Sequence, residues 1–251
     1  MRTGRSKGIF CLVAVVLWVG IWVLGLTSAS FAGVDYGPKL YDSEATEVSS
    51  ETMPDPLMPV NRFFFQVNDK LYFYALKPVA RGYKAVLPER VRVCVKNFLY
   101  NLAMPVRLIN CVLQLKPGKA GIVLGRFILN TTIGAGGLFD PAASKFGLEK
   151  VDEDTGQTFG VYGMKEISYL NVPILGPSNV RDLLGYVGDT VMHPLFYVSP
   201  WWIFFAEVAL DKVNTTSLTL GEYEEFKASA LDPYTAMKDA YFQHRRALIA
   251  Q

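Results

Sequence analysis

The sequence predicts a mainly α-helical fold with one short hairpin or extended segment. Apolar residues recur at helical spacing through several consecutive stretches. Prolines stand where those stretches begin, as in Asp55-Pro56, Pro88, Pro105, Pro117 and Asp232-Pro233, the first-turn position where the missing N–H costs nothing. One glycine-punctuated stretch, residues 158–173, lacks helical periodicity and reads as extended or as a short hairpin.

The chain opens with a basic segment (Arg2, Arg5, Lys7), an apolar run over residues 9–26, and Ser30-Phe31-Ala32, with small residues at the two positions a signal peptidase reads. This predicts a signal peptide over residues 1–32, cleaved after Ala32; the apolar run is also long enough to remain as an anchor. Cys11 lies inside that run without small residues just before it, so no lipoprotein acylation site is evident. Residues 33–54 are rich in Ser, Thr and Glu without apolar periodicity and read as a flexible linker. Residues 55–251 form the remaining, helical domain.

The first helix is expected from Asp55-Pro56 to about Leu76, stopped by Lys77-Pro78. Phe63, Phe64, Val67, Leu71 and Tyr74 share one face, and Arg62, Gln66, Asp69 and Lys70 the other. That aromatic face fits either a protein core or a membrane interface. Helices over residues 88–102 and 105–115 follow, carrying Cys94 and Cys111. An exported protein can oxidise such a pair into a bridge between successive helices; the alternative is two small buried hydrophobes.

Residues 117–142 are the centre of the chain. Ile122, Val123, Leu124, Phe127, Ile128, Leu129 and Ile133 surround the helix axis on nearly every side, which places the helix inside protein or in lipid. Gly121 and Gly125 have the small-xxx-small spacing of closely packed helices. Arg126 and Asn130 interrupt the apolar body one helical turn apart, on one face, and a cation there needs a partner or a wet cavity. Gly134, Gly136 and Gly137 permit a sharp reversal, with a hinge as a further role.

Residues 140–157 read as an exposed polar loop, with Asp152-Glu153-Asp154 as a solvated run lacking the spaced ligands of a calcium site. Gly176-Pro177-Ser178 reads as a turn leading into a helix through Leu183, Val187 and Val191. The aromatic run Pro200-Trp201-Trp202-Ile203-Phe204-Phe205 suits a membrane interface or a core. Helices over residues 223–231 and 233–249 close the chain.

Composition narrows the function. The chain is 51% hydrophobic and 19% charged, with a mean hydropathy of +0.21, apolar for a soluble protein and too polar for a multi-span transporter. Three of its 25 basic residues precede Ala32, and the rest do not exceed the 23 acidic ones, so no basic excess remains for nucleic acid. No nucleophile elbow, Walker loop or HExxH occurs. The two histidines, His193 and His244, lack ligand-spaced neighbours, so no metal is expected; no acid–base pair is marked around Asp140, Asp182 or Asp189. The chain is expected to have no catalytic residues and no cofactor, and not to be an enzyme.

Several blocks in fixed order resemble the MlaA/VacJ family of outer-membrane phospholipid-transport proteins. DPLMPVNRFFFQVND (residues 55–69) is similar to that family's opening, and GRFILNTTIGAGGLFDPA (125–142) follows its central segment nearly position for position. DTGQTFGVYG (154–163), LNVPILGPSNVRDLLG (170–185) and DPYTAMKDAYFQHRR (232–246) resemble its later blocks. The resemblance implies a ring-like helical assembly embedded in the outer membrane of a Gram-negative-type cell envelope, facing the periplasm and containing an amphipathic channel. It implies removal of misplaced phospholipid from the outer leaflet to a soluble MlaC-like carrier, maintaining lipid asymmetry, and association with trimeric porins. The alternative is an envelope scaffold that associates with porins without moving lipid.

A lipid head group needs a wet path through such an assembly. Asn61, Arg62, Arg126, Asn130 and Arg181 are the candidate polar groups for it, each with a structural hydrogen bond or ion pair as the alternative role. Phe63, Phe64, Trp201 and Trp202 are the membrane-interface candidates. Two departures from the family pattern stand out: no cysteine is placed for lipidation after the signal, and residues 164–169 replace a stretch that usually carries a further glycine and Gly-Pro-Tyr.

Overall fold

A computed structural model describes residues 54–251. The signal peptide expected over residues 1–32, and all but the last residue of the linker expected over 33–54, lie outside them. Helix α1, Met58–Leu71, passes through one wide turn, Tyr72–Leu76, into α2, Lys77–Val86. The expected stop at Lys77-Pro78 does not occur. A proline lacks an N–H and crowds the carbonyl one turn back, and the wide turn relieves this. Its closing bond runs from the Lys77 N–H to the Tyr72 carbonyl, five residues back, so Pro78 falls in the first turn of a new helix.

Helices α3, Glu89–Leu102, α4, Met104–Leu113, and α5, Pro117–Thr132, follow the expected order. The stretch expected to be a polar loop over residues 140–157 instead holds one short helix, α6, Pro141–Phe146, and the start of a second, α7, Thr155–Val161, which runs on into the first residues of the stretch expected to be extended. Each is started by a carboxylate cap: Asp140 accepts from the Ala143 N–H and Asp154 from the Gln157 N–H. Strands β1, Tyr169–Val172, and β2, Gly176–Asn179, form an antiparallel hairpin with Tyr169 opposite Asn179 and Val172 opposite Gly176. Gly176-Pro177-Ser178, expected as a turn, is thus strand, and the reversal lies just before it, where Ile174 has φ 71°.

Asn179 caps α8, Val180–Met192, by accepting from the Asp182 N–H. A short 3-10 turn, Pro194–Tyr197, leads toward α9, Trp202–Leu218. Helices α10, Glu222–Ser229, and α11, Pro233–Ala250, end the chain. The described unit is therefore mainly helical with one two-stranded sheet. None of its helices is long and apolar enough to cross a membrane.

The burial pattern is inverted relative to a water-soluble domain. Among the described residues, buried polar and charged side chains outnumber buried apolar ones, and many large apolar side chains are exposed. In α5, Val123, Arg126 and Asn130 are buried while Leu124, Ile128 and the following Ile133 are exposed. In α3, Arg92, Asn97 and Asn101 turn inward beside Leu99, and Phe98 turns outward. The apolar cores are small. Met104, Cys111 and Val123 form one, packed by Tyr100, Leu108 and Phe127. Tyr169, Tyr234 and Phe242 form another, with Phe65 and Tyr241 against it.

The bridge considered between Cys94 and Cys111 is absent: both thiols are free. Cys111 is buried within the first apolar core and Cys94 is half-buried outside it; burial pushes both thiols up, which disfavours the reactive thiolate. The Gly121–Gly125 spacing brings no helix backbone close. A Cβ at Gly121 would meet open space, and one at Gly125 would touch only the Leu148 side chain, at 3.4 Å.

Candidate functional site

The polar interior is built from short ties between elements distant in sequence. Asp140 anchors the first. Arg126, 0% exposed, places Nη2 2.7 Å from Asp140 Oδ2 and donates from Nη1 to the Leu148 carbonyl. Asn130 Nδ2 donates to Asp140 Oδ1 at 3.0 Å, and Asn130 Oδ1 accepts from the Ala142 N–H at 3.1 Å. The glycine turn between them makes this possible. A Cβ on Gly134 would fall 2.4 Å from the Asn130 carbonyl, and Gly137, at φ +97°, packs on Asn101.

A second tie joins the start of α1 to the hairpin. Asn61 Nδ2 donates to Asp55 Oδ1 at 2.8 Å and to the Tyr169 carbonyl at 2.9 Å, while its Oδ1 accepts from the Asn171 N–H. At the solvent-exposed margin of this tie Arg62 pairs with Asp232 at 2.6 Å and lies over the Tyr234 ring, joining α1 to α11. The Arg62 hydrogen bond, with one from Thr235, holds the Asp232 carboxyl down at about 2.

The third tie is a buried charge network. Arg181 meets Asp182 at 2.9 Å and Glu166 at 3.2 Å. Arg245 spans Asp154 at 2.6 Å and Asp182 at 2.7 Å, and the Tyr241 hydroxyl donates to Asp182. Burial alone would raise the Asp154 and Asp182 carboxyls; the Arg245 guanidinium overrides it and holds both below the usual carboxylate range. α7 and α8 approach closely here, since a Cβ on Gly185 would lie 2.3 Å from the Gly156 nitrogen.

Asn61, Arg62, Arg126, Asn130 and Arg181 thus all hold protein partners, with Arg126 and Asn130 together on Asp140 and the others in the second and third ties. A cleft of ≈500 Å³ adjoins the third tie, walled by Val106 and Arg107 of α4, residues 152–154, β2, α8 and α9; Asp154 and Asp182 line it, but none of the five does. Part of its wall was legible in the sequence, since residues 152–154, Asp182, Asp189 and His193 all line it. Asp189 drew attention only as an unpartnered acid, and Glu207, Asp211 and Lys212 not at all. The available signal was Glu207 and Asp211 one turn apart in a helix that begins as an aromatic run.

The acidic run expected in solvent helps to form this wall. Glu153 is 3% exposed, held by Lys116 at 3.2 Å and Lys119 at 2.6 Å, and Asp152 pairs with Arg107 at 3.0 Å. The lysines at the start of α5 supply the charge that draws Glu153 inward. No group of side chains among the described residues is arranged to hold a metal ion.

On the outside, Trp201 is 74% exposed, and Trp202, Phe63 and Phe205 are exposed as well. Phe64 is half-buried and stands edge-on to Phe63 at 5.4 Å.

The family model described as MlaA lipoprotein matches residues 53–248. A Rickettsia bellii protein named only as uncharacterized is 32% identical over 224 residues, covering 89% of this chain and 88% of its own. The intermembrane phospholipid transport system lipoprotein MlaA of Escherichia coli is 30% identical over 192 residues, covering 75% of this chain and 76% of its own. A solved structure concerned with the structural basis for maintenance of bacterial outer membrane lipid asymmetry matches at a TM-score of 0.70 and 30% identity, over 78% of this chain and 99% of that one.

Proposed function

The chain belongs to the MlaA lipoprotein family, and from that premise we propose that it serves intermembrane phospholipid transport without making or breaking a bond in the lipid. It sits in the outer membrane, draws misplaced phospholipid from the outer leaflet along an amphipathic path through its interior, and passes it to a soluble periplasmic carrier of the MlaC kind. Trimeric porins are its proposed neighbours in the membrane.

The inverted burial carries this reading. Apolar area left in water costs about 25 cal/mol per Å², and exposed side chains such as Phe63, Leu124, Ile128, Val187, Trp201 and Phe205 together present a large amount. Surrounding acyl chains remove that cost. Trp201 and Trp202 suit the level of the head groups, where an apolar ring with an N–H is favoured, and Phe63 and Phe64 add apolar ring surface for the acyl chains next to it. Inside, a head group needs polar walls that stay fixed as it passes. Asn61, Arg62, Arg126, Asn130 and Arg181 serve there by holding those walls, with the turn at Gly134, Gly136 and Gly137 as a pivot.

The test is the outer-leaflet phospholipid content of cells lacking this gene. It rises on deletion and returns to normal when the intact gene is restored. An unchanged leaflet in the deletion strain overturns the transport reading in favour of an envelope scaffold associated with porins.

A further inference from the structure

The ≈500 Å³ cleft between α8 and α9 falls within the range of ligand cavities, about 300–1,000 Å³. Its charges are unevenly satisfied. Asp152, Glu153, Asp154 and Asp182 each meet a lysine or arginine. Asp189, on the same wall, has hydrogen bonds from Thr155 and Asn110 but no cation. Glu207 and Asp211 form no ion pair among the described residues. They stand one turn apart on α9, a like-charged spacing that disfavours a helix. Burial, and then Asp211, push Glu207 up to about 7, as befits a carboxylate without its counter-ion.

Two side chains of the same wall present groups of the opposite kind. Lys212 forms no ion pair among the described residues. His193 is 8% exposed, and its Nδ1 accepts from the Leu195 N–H. Burial, and then Arg107, lower its pKa and keep the ring neutral, so the proton sits on Nε2. That N–H has no protein partner among the described residues. The cleft wall therefore holds carboxylates in no ion pair, an exposed ammonium and an idle N–H donor, the complement of a zwitterion.

We propose that this cleft selects the lipid head group: Asp189, Glu207 and Asp211 receive an ammonium while Lys212 and His193 face the phosphate, so that ethanolamine-headed phospholipid enters in preference to net-anionic, glycerol-headed phospholipid. The inference rests on the transport reading above. A glycerol head brings no cation to the three acids, and its phosphate charge is opposed by their field.

The test offers purified full-length protein in detergent equimolar phosphatidylethanolamine and phosphatidylglycerol with identical acyl chains, and counts bound lipid by native mass spectrometry. The ethanolamine lipid is expected to be favoured by about fivefold or more. Its N-acetylated form, which has lost the ammonium, should bind no better than phosphatidylglycerol. The Glu207→Gln/Asp211→Asn variant should lose the preference with its far-UV circular dichroism unchanged. Equal occupancy by both heads in the wild type, or a folded variant that keeps the preference, overturns the inference and leaves lipid transport standing. Binding of neither lipid overturns both. If the variant does not fold, the wild-type comparison of the ethanolamine lipid with its N-acetyl form decides alone. Free phosphoethanolamine should leave the bound lipid in place; displacement would make a soluble ligand the occupant and remove the lipid assignment.

Discussion

A guanidinium with no exposed surface must find its countercharge inside the protein, and Arg126 finds it in Asp140. Asp140 also accepts from Asn130 and caps α6, so one carboxylate serves three purposes. Asp140→Ala is expected to cost about 3–5 kcal/mol, the range for leaving a buried charge unpaired, read from denaturant unfolding of the full chain in detergent. A loss below about 1 kcal/mol, the worth of a cap alone, would contradict this role. The need for a partner was legible in the sequence, since Arg126 and Asn130 interrupt an apolar helix on one face. The partner's identity was not, because Asp140 reaches them only once the intervening glycines reverse the chain. Glu153 makes the same point: an acidic run looks solvated until Lys116 and Lys119 are brought to it from another element.

At the scale of elements, the reversal after α5 depends on backbone conformations that side chains resist. Gly136 has φ +76° with open space around it, whereas Gly137 has φ +97° and a Cβ there would lie 2.5 Å from the Asn101 Cβ. Gly136→Ala should destabilise by about 1–2 kcal/mol, the left-handed penalty alone. Gly137→Ala should cost clearly more, since Asn101 must also move. Thermal unfolding of the two variants checks the order; equal losses would show that the Asn101 contact is soft. Most helices could be read from periodicity and proline placement. The continuation through Pro78 could not, because it depends on one wide turn that leaves no periodic trace. The two short helices after Asp140 escaped for a related reason: they are too short for a pattern, and only their capping aspartates mark them.

For the whole molecule, periodicity shows that a helix has two faces but not which of them turns inward. α5 read as apolar all round, and only the structure shows its few polar groups inside with leucine and isoleucine outside. The cleft escaped sequence reading for the same reason: its walls come from α4, β2, α8 and α9, and nothing local marks Asp189, Glu207 and Asp211 as neighbours. The central claim is that the apolar exterior is solvated by lipid. Of the four tryptophans, Trp18 and Trp22 precede Ala32, so Trp18→Phe/Trp22→Phe leaves Trp201 and Trp202 as the only indole reporters. The decisive measurement is their fluorescence in that full-length variant, reconstituted in bilayers with brominated and with unmodified acyl chains. Strong quenching by the brominated chains is expected. Emission that is unquenched and typical of indole in water would contradict it, leaving the inverted burial to be explained by a protein partner instead of lipid.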